Sequence, residues 1–120
     1  MANKSLKVLK RRSEFLVLRK SGQKVRPSDW LLMSFSVNKQ GEMRCGWTLP
    51  RFVGSAVVRN RLKRWSRVYF RTLLNSGDEI PIDINLIFRK VDGEFYRKLN
   101  YERFSRILDR GWRQILQRVK

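Results

Sequence analysis

At 120 residues the chain is long enough for one hydrophobic core and too short for two, so a single domain is expected over residues 1–120. Its 28 Lys and Arg stand against 10 Asp and Glu, a formal charge of +18, and the excess is spread along the chain, which points to nucleic acid as the partner. With no His and one Cys, histidine triads, histidine general bases, the usual zinc sets and internal disulfides are excluded.

No apolar stretch approaches the ~20 residues of a bilayer span. The N-terminus MANKSLKVLKRR lacks the apolar centre of a secretory signal. A cytoplasmic location is therefore expected, and the lone Cys45 fits a reducing compartment.

Residues 1–12 read as an irregular, flexible basic arm in which Leu6, Val8 and Leu9 are available to dock on the fold. Ser13 then offers an N-cap and Glu14 suits the positive end of a helix dipole, so a short helix is expected over 13–21, stopped by Gly22. Two apolar runs follow, WLLMSFSV at 30–37 and MRCGWTL at 43–49, on either side of a Gly-containing turn at 38–41. They predict a β-hairpin. Cys45, inside the second run, reads as a small apolar filler.

Residues 55–74, SAVVRNRLKRWSRVYFRTLL, carry the strongest signal. Wound as a helix at about 100° per residue, they gather Val58, Leu62, Trp65, Tyr69 and Leu73 in one sector. The adjoining sector holds Arg59, Asn60, Lys63, Arg64, Arg67 and Arg71. A solvated helix ordinarily mixes acids with its bases; this one contains no acid, so a polyanion is expected to cover it.

In IDINLIF, residues 82–88, Ile82, Ile84, Leu86 and Phe88 alternate with Asp83, Asn85 and Ile87, which predicts a buried strand. Tyr101, Phe104, Leu108, Ile115 and Val119 then recur at helical spacing to the end of the chain. The order αββαβα gives an α+β protein, a two-layer sandwich of helices on a sheet of at least three strands. Trp30, Trp47, Trp65 and Trp112 read as packing residues. Asp78, Glu79 and Asp83 are the one place where a metal-dependent nuclease site can be imagined, but acids beside Gly77 and Pro81 form turns.

The block from Arg51 to Arg67 resembles the signature of the bacterial ribonuclease P protein subunit. It matches at Gly54, Ala56, Val57, Arg59, Asn60, Arg61, Lys63, Arg64 and Arg67. The order of elements from about Leu9 to Phe88 is similar as well. The resemblance implies a central mixed sheet with a left-handed βαβ crossover, like the second domain of ribosomal protein S5. It further implies a protein that joins a catalytic RNA to remove the 5′ leader of precursor tRNA. The RNA, with Mg²⁺ bound mainly by RNA and substrate, performs the cleavage, and the polypeptide alone is non-catalytic.

Carried onto this sequence, the family's RNA contacts fall at Arg51, Arg59, Asn60, Arg61, Lys63, Arg64 and Arg67, and the cationic sector of the helix adds Arg71. Its leader contacts fall at Phe15, Arg19 and Met33. The sequence departs from the family pattern at Phe52 and Val68, and at Arg19 and Met33, where aromatic residues are usual. Charge and size alone also fit a structural RNA-binding protein of ribosomal type.

Overall fold

The alternating run of residues 82–88 takes the centre of the sheet, and the other elements are arranged around it. The computed structural model describes residues 6–77 and 80–119. In chain order it contains β1 (Lys7–Val8), α1 (Arg12–Ser21), β2 (Gln23–Val25), β3 (Leu31–Val37), β4 (Arg44–Thr48), a 3₁₀ turn (Arg51–Val53), α2 (Ala56–Ser76), β5 (Ile82–Phe88), α3 (Phe95–Lys98) and α4 (Tyr101–Val119). The strands form one mixed sheet in the order β1-β4-β5-β3-β2. β5 runs parallel to β4 and antiparallel to β3, while β1 is parallel to β4 and β2 antiparallel to β3.

The hairpin expected between residues 30–37 and 43–49 is corrected, because β5 lies between β3 and β4. β5 is shielded on both faces and needs partners along both of its edges. It pairs from Ile82 to Phe88 with β3 and from Asp83 to Ile87 with β4. The loop that looked like a hairpin turn bridges the start of β5 instead. There the Asn38 backbone N–H donates to the Pro81 carbonyl at 2.9 Å, and Asn38 Nδ2 to Asp83 Oδ1 at 2.8 Å. Parallel neighbours need a long crossover, and α2 supplies it between β4 and β5.

Two further expectations change at the N-terminus. Residues 6–12 are not an irregular arm: Lys7 and Val8 pair with Arg44 and Cys45, and Leu9 is buried with its N–H on the Cys45 carbonyl. Residues 1–5 lie outside the described residues. Helix α1 begins at Arg12 with Arg11 as its N-cap, not Ser13. Glu14 is what holds the end, its Oε1 accepting from the backbone N–H groups of Arg11 and Lys10. Gly22 does follow the helix, in an extended conformation, and its value is close approach. A Cβ there would stand 2.5 Å from the Leu18 carbonyl oxygen and 2.9 Å from Ser34 Oγ.

Strand parity divides the sheet into two faces. Met33, Phe35, Cys45, Trp47, Ile84 and Leu86 share one face, against which α2 and α4 pack. Ser34, Gly46 and Asn85 share the other, where Ser34 Oγ donates to the Leu18 carbonyl of α1 at 2.9 Å. Helices therefore lie on both faces of the sheet, α2 and α4 on one and α1 on the other.

The chief core is the α2/α4 side, closed by an aromatic group. Trp30 stacks on Phe88 and Phe104 and meets the edge of Tyr96, while Trp65 packs on Phe104. Trp30 and Trp112 are buried and Trp47 and Trp65 half-buried, as packing residues.

Candidate RNA interface

The chain enters α2 through a turn that its sequence dictates. Gly54 has φ 147°, a conformation open to glycine alone. Ser55 is the N-cap, its hydroxyl accepting from the Val58 N–H at 3.4 Å. Val58, Leu62, Tyr69 and Leu73 are buried as the helical period requires. Ser66, Phe70 and Leu74 join them on the sheet side, which widens the packed sector beyond what the wheel suggested. Ser66 is accommodated because its hydroxyl donates to the Leu62 carbonyl at 2.7 Å.

The cationic residues separate into two groups. Asn60, Arg64 and Arg71 are exposed on the outer face of α2, and Arg51 is exposed on the 3₁₀ turn. Arg59, Lys63 and Arg67 are half-buried along its flank, Arg67 lying over the Trp47 ring at 5.2 Å from the centroid. That cation–π contact helps to hold the guanidinium in place. Arg61 departs from expectation. Its Nη2 donates to the carbonyl oxygens of Tyr96 and Arg97 at 2.8 and 3.0 Å, and its guanidinium lies 4.9 Å from the Trp65 ring. Arg61 thus ties α2 to α3, a partnership across 35 residues that a helical wheel cannot reveal.

On the other face of the sheet, α1 stands over a cleft of about 470 Å³. Arg12, Phe15, Leu16 and Arg19 form its wall, and Leu32, Ser34, Thr48, Asn85 and Ile87 its floor, with Lys24 at one side. Three cations and a phenyl ring line it, with no acid among them. Phe15 and Arg19, which the family resemblance names, both lie on this wall.

Met33 is corrected: it is fully buried on the opposite face, against Gly111 of α4. Its neighbours Leu32 and Ser34 face the cleft instead. A one-residue change of parity moves a strand side chain from one face to the other. The floor's Asn85 pairs with Thr48, Nδ2 to Oγ1 at 3.0 Å. The alternation of Asn85 and Ile87 with the buried residues of β5 is the sequence signal for this floor.

Beside the cleft, Arg44 holds α1 to the sheet. It donates from Nε and Nη2 to the two oxygens of Asp83, each at 2.7 Å, and from Nη1 to Glu14 Oε2 at 2.6 Å. The Asp83 hydrogen bonds raise the Arg44 pKa above its ordinary value. Glu14 is lowered, first by the Arg11 backbone N–H. Asp83 is therefore committed to structure, and Asp78 and Glu79 lie outside the described residues. No group of three or more acidic, Cys or His residues gathers among the described residues. None of the described helices is long and apolar enough to cross a membrane.

An acid-free helix facing outward on one side of a mixed sheet, and a cationic cleft with an aromatic wall on the other, define an RNA-binding α+β protein. Comparison with known proteins gives the family. The Ribonuclease P family profile matches residues 4–116. The ribonuclease P protein component of Desulfatibacillum aliphaticivorans is 38% identical over 82 residues, 68% of each chain. That of Fusobacterium nucleatum is 31% identical over 105 residues, 88% of this chain and 93% of the relative. The solved ribonuclease P protein of Thermotoga maritima superposes with a TM-score of 0.74 at 28% identity, covering 95% of this chain and 98% of that one. The chain belongs to the ribonuclease P protein family. Its role is that of the protein subunit which, with an RNA subunit, matures the 5′ ends of tRNA.

Proposed function

We propose that this chain divides its two faces between two RNAs. The outer face of α2 (Asn60, Arg64, Arg71), its flank (Arg59, Lys63, Arg67) and Arg51 on the preceding turn hold the catalytic RNA through phosphate contacts. The cleft under α1 holds the single-stranded leader of precursor tRNA between the Phe15 ring and the cations Arg12, Arg19 and Lys24. Arg61 serves the first site by fixing α2 in place. The observation that carries this reading is the complete absence of acids from Ala56–Ser76 together with the outward exposure of Asn60, Arg64 and Arg71.

Guanidinium groups make paired hydrogen bonds to phosphate and stay charged at biological pH. Folded RNA is recognised by its backbone and 2′-hydroxyls, and several cations mounted on one rigid helix suit that task. Leader binding needs stacking plus a cationic track, which the cleft combines. Mg²⁺ belongs to the RNA and the substrate, and the reaction takes place in the cytoplasm.

Reconstitution tests the proposal. At limiting Mg²⁺, adding the protein to the cognate ribonuclease P RNA should accelerate removal of the leader, while the RNA-free polypeptide leaves precursor tRNA intact. Cleavage by the polypeptide alone, or no effect on the RNA, refutes it.

A further inference from the structure

Helix α4 buries Phe104, Leu108, Gly111, Trp112 and Ile115 and turns its other side to solvent. That outer side carries Arg103, Arg106, Arg110 and Arg113, all exposed. Spaced at i, i+3, i+7 and i+10, they fall within a sector of about 80° and extend over ~15 Å of helix. The helix's two acids sit at the margin of this row. Glu102 engages Arg106 at 2.6 Å with both side chains 74% exposed, a pairing that water screens and a phosphate can displace. Asp109 is turned to α2, where it accepts from the Tyr69 hydroxyl. Among the described residues, no carboxylate lies in salt-bridge contact with Arg110 or Arg113.

The row borders a depression of about 490 Å³ lined by Arg106, Asp109, Arg110, Arg113, Gln114 and Gln117. At its edge the Oε1 atom of Gln114 is shielded from solvent and has no hydrogen-bond partner.

We infer that the outer face of α4 is a second phosphate-binding site, which docks a double-helical segment of the ribonuclease P RNA distinct from the one on α2. The inference rests on the RNA-binding role proposed above. A row of guanidinium forks on a convex helix matches a duplex backbone, and among the described residues the ring beside it, Phe95, is half-buried with the Arg103 guanidinium 5.2 Å from its centroid, which leaves it covered against stacking by unpaired bases. The location selects the source of the RNA. α4 packs beside α2, through Tyr69 with Asp109 and Trp65 with Phe104, and both lie across the sheet from the leader cleft. RNA on α2 is thus on the same side as α4, while substrate held by its leader is on the other.

The test uses the full chain carrying Arg106→Gln, Arg110→Gln and Arg113→Gln together, with wild type and Arg64→Ala alongside. Affinity is measured against salt for ribonuclease P RNA alone and for leader-bearing precursor tRNA alone. The triple variant should flatten the log–log salt slope for ribonuclease P RNA by about 2 to 3, at roughly 0.7 to 0.9 per phosphate released, and leave the slope for precursor tRNA unchanged. All three side chains are exposed, so the unfolding midpoint should not move; if it does, the single Arg110→Gln variant, with an expected change of about 0.7 to 0.9, decides.

An unchanged slope for ribonuclease P RNA overturns the inference, as does a loss confined to precursor tRNA. If Arg64→Ala flattens the slope while the α4 variant does not, the α4 site falls and the proposed function stands. If wild-type protein fails to bind ribonuclease P RNA, both fall.

Discussion

The ring of Phe15 rests on the backbone of Gly46, so closely that a Cβ at Gly46 would stand 2.6 Å from Phe15 Cζ. The bare strand surface lets α1 approach the sheet and sets the aromatic wall of the cleft. Phe15→Ala should weaken binding of leader-bearing precursor tRNA by about 1–3 kcal/mol, the worth of one base stacked on an aromatic ring, and leave leaderless tRNA unaffected. Gly46→Ala should displace the ring, lowering stability by about 1–3 kcal/mol through overpacking and weakening the same leader-dependent increment. Paired titrations with the two RNAs measure it. Equal losses on both would show that Phe15 does not face the leader.

Arg61 and Arg64 look interchangeable in the motif, yet they should respond differently to removal. Arg64 is exposed, so Arg64→Ala should flatten the salt slope of RNA binding by roughly 0.7 to 0.9 and change stability by less than about 0.5 kcal/mol. Arg61 donates to two carbonyl oxygens of the α3 segment. Its removal should cost about 1–3 kcal/mol of folding stability and leave the salt slope close to wild type. Denaturant melts and salt titrations on the two variants check both halves. The opposite pattern would return Arg61 to the phosphate-binding set.

What the sequence discloses here is local, and what it conceals is pairing over distance. The helical span of α2 and the centre of its packed face follow from the spacing of Val58, Leu62, Tyr69 and Leu73 and a long run without acids. Strand order does not follow, because nothing near residues 38–41 records that β5 will arrive between β3 and β4. Met33 was misplaced for a subtler reason. Residues 31–37 are apolar at both parities near their start, and only Ser34 and Ser36, in step with Leu32, mark the cleft face. Arg61 is indistinguishable from its neighbours until the carbonyls of Tyr96 and Arg97 are seen beside it. The RNA-binding helix was therefore legible, while the cleft floor depended on a register that tertiary packing chooses.

Arg44 should be the principal electrostatic anchor of α1. Arg44→Met would leave the carboxylates of Glu14 and Asp83 near one another with their shared cation gone, at a cost of about 1.5–3 kcal/mol for the lost charged hydrogen bonds. Glu14 titrates below its unfolded value, so its contribution is complete above about pH 4.3 and disappears as pH falls through its folded pKa. Glu14→Gln should accordingly be less stable than wild type at neutral pH, with the difference closing below about pH 4.3. Urea melts across that range measure it. A gap that persists in acid would mean that Glu14 acts by packing rather than by charge.

Cys45 should behave as a reporter of unfolding rather than as a reactive thiol. It is fully buried in β4 between the sheet and the α2/α4 layer, and desolvation pushes its pKa up to about 12. A free thiol ionises near pH 8.5, and the thiolate is the reactive form. At pH 8 a disulfide reagent should therefore label the protein only as fast as the fold opens, with the rate rising through the urea transition. The same shift fixes a sign. Because the folded chain retains a proton that the unfolded chain gives up, stability should decline as pH rises above about 8.5. Cys45→Ala should remove that part of the decline. Rapid, complete labelling in the absence of urea would show that β4 is open to solvent.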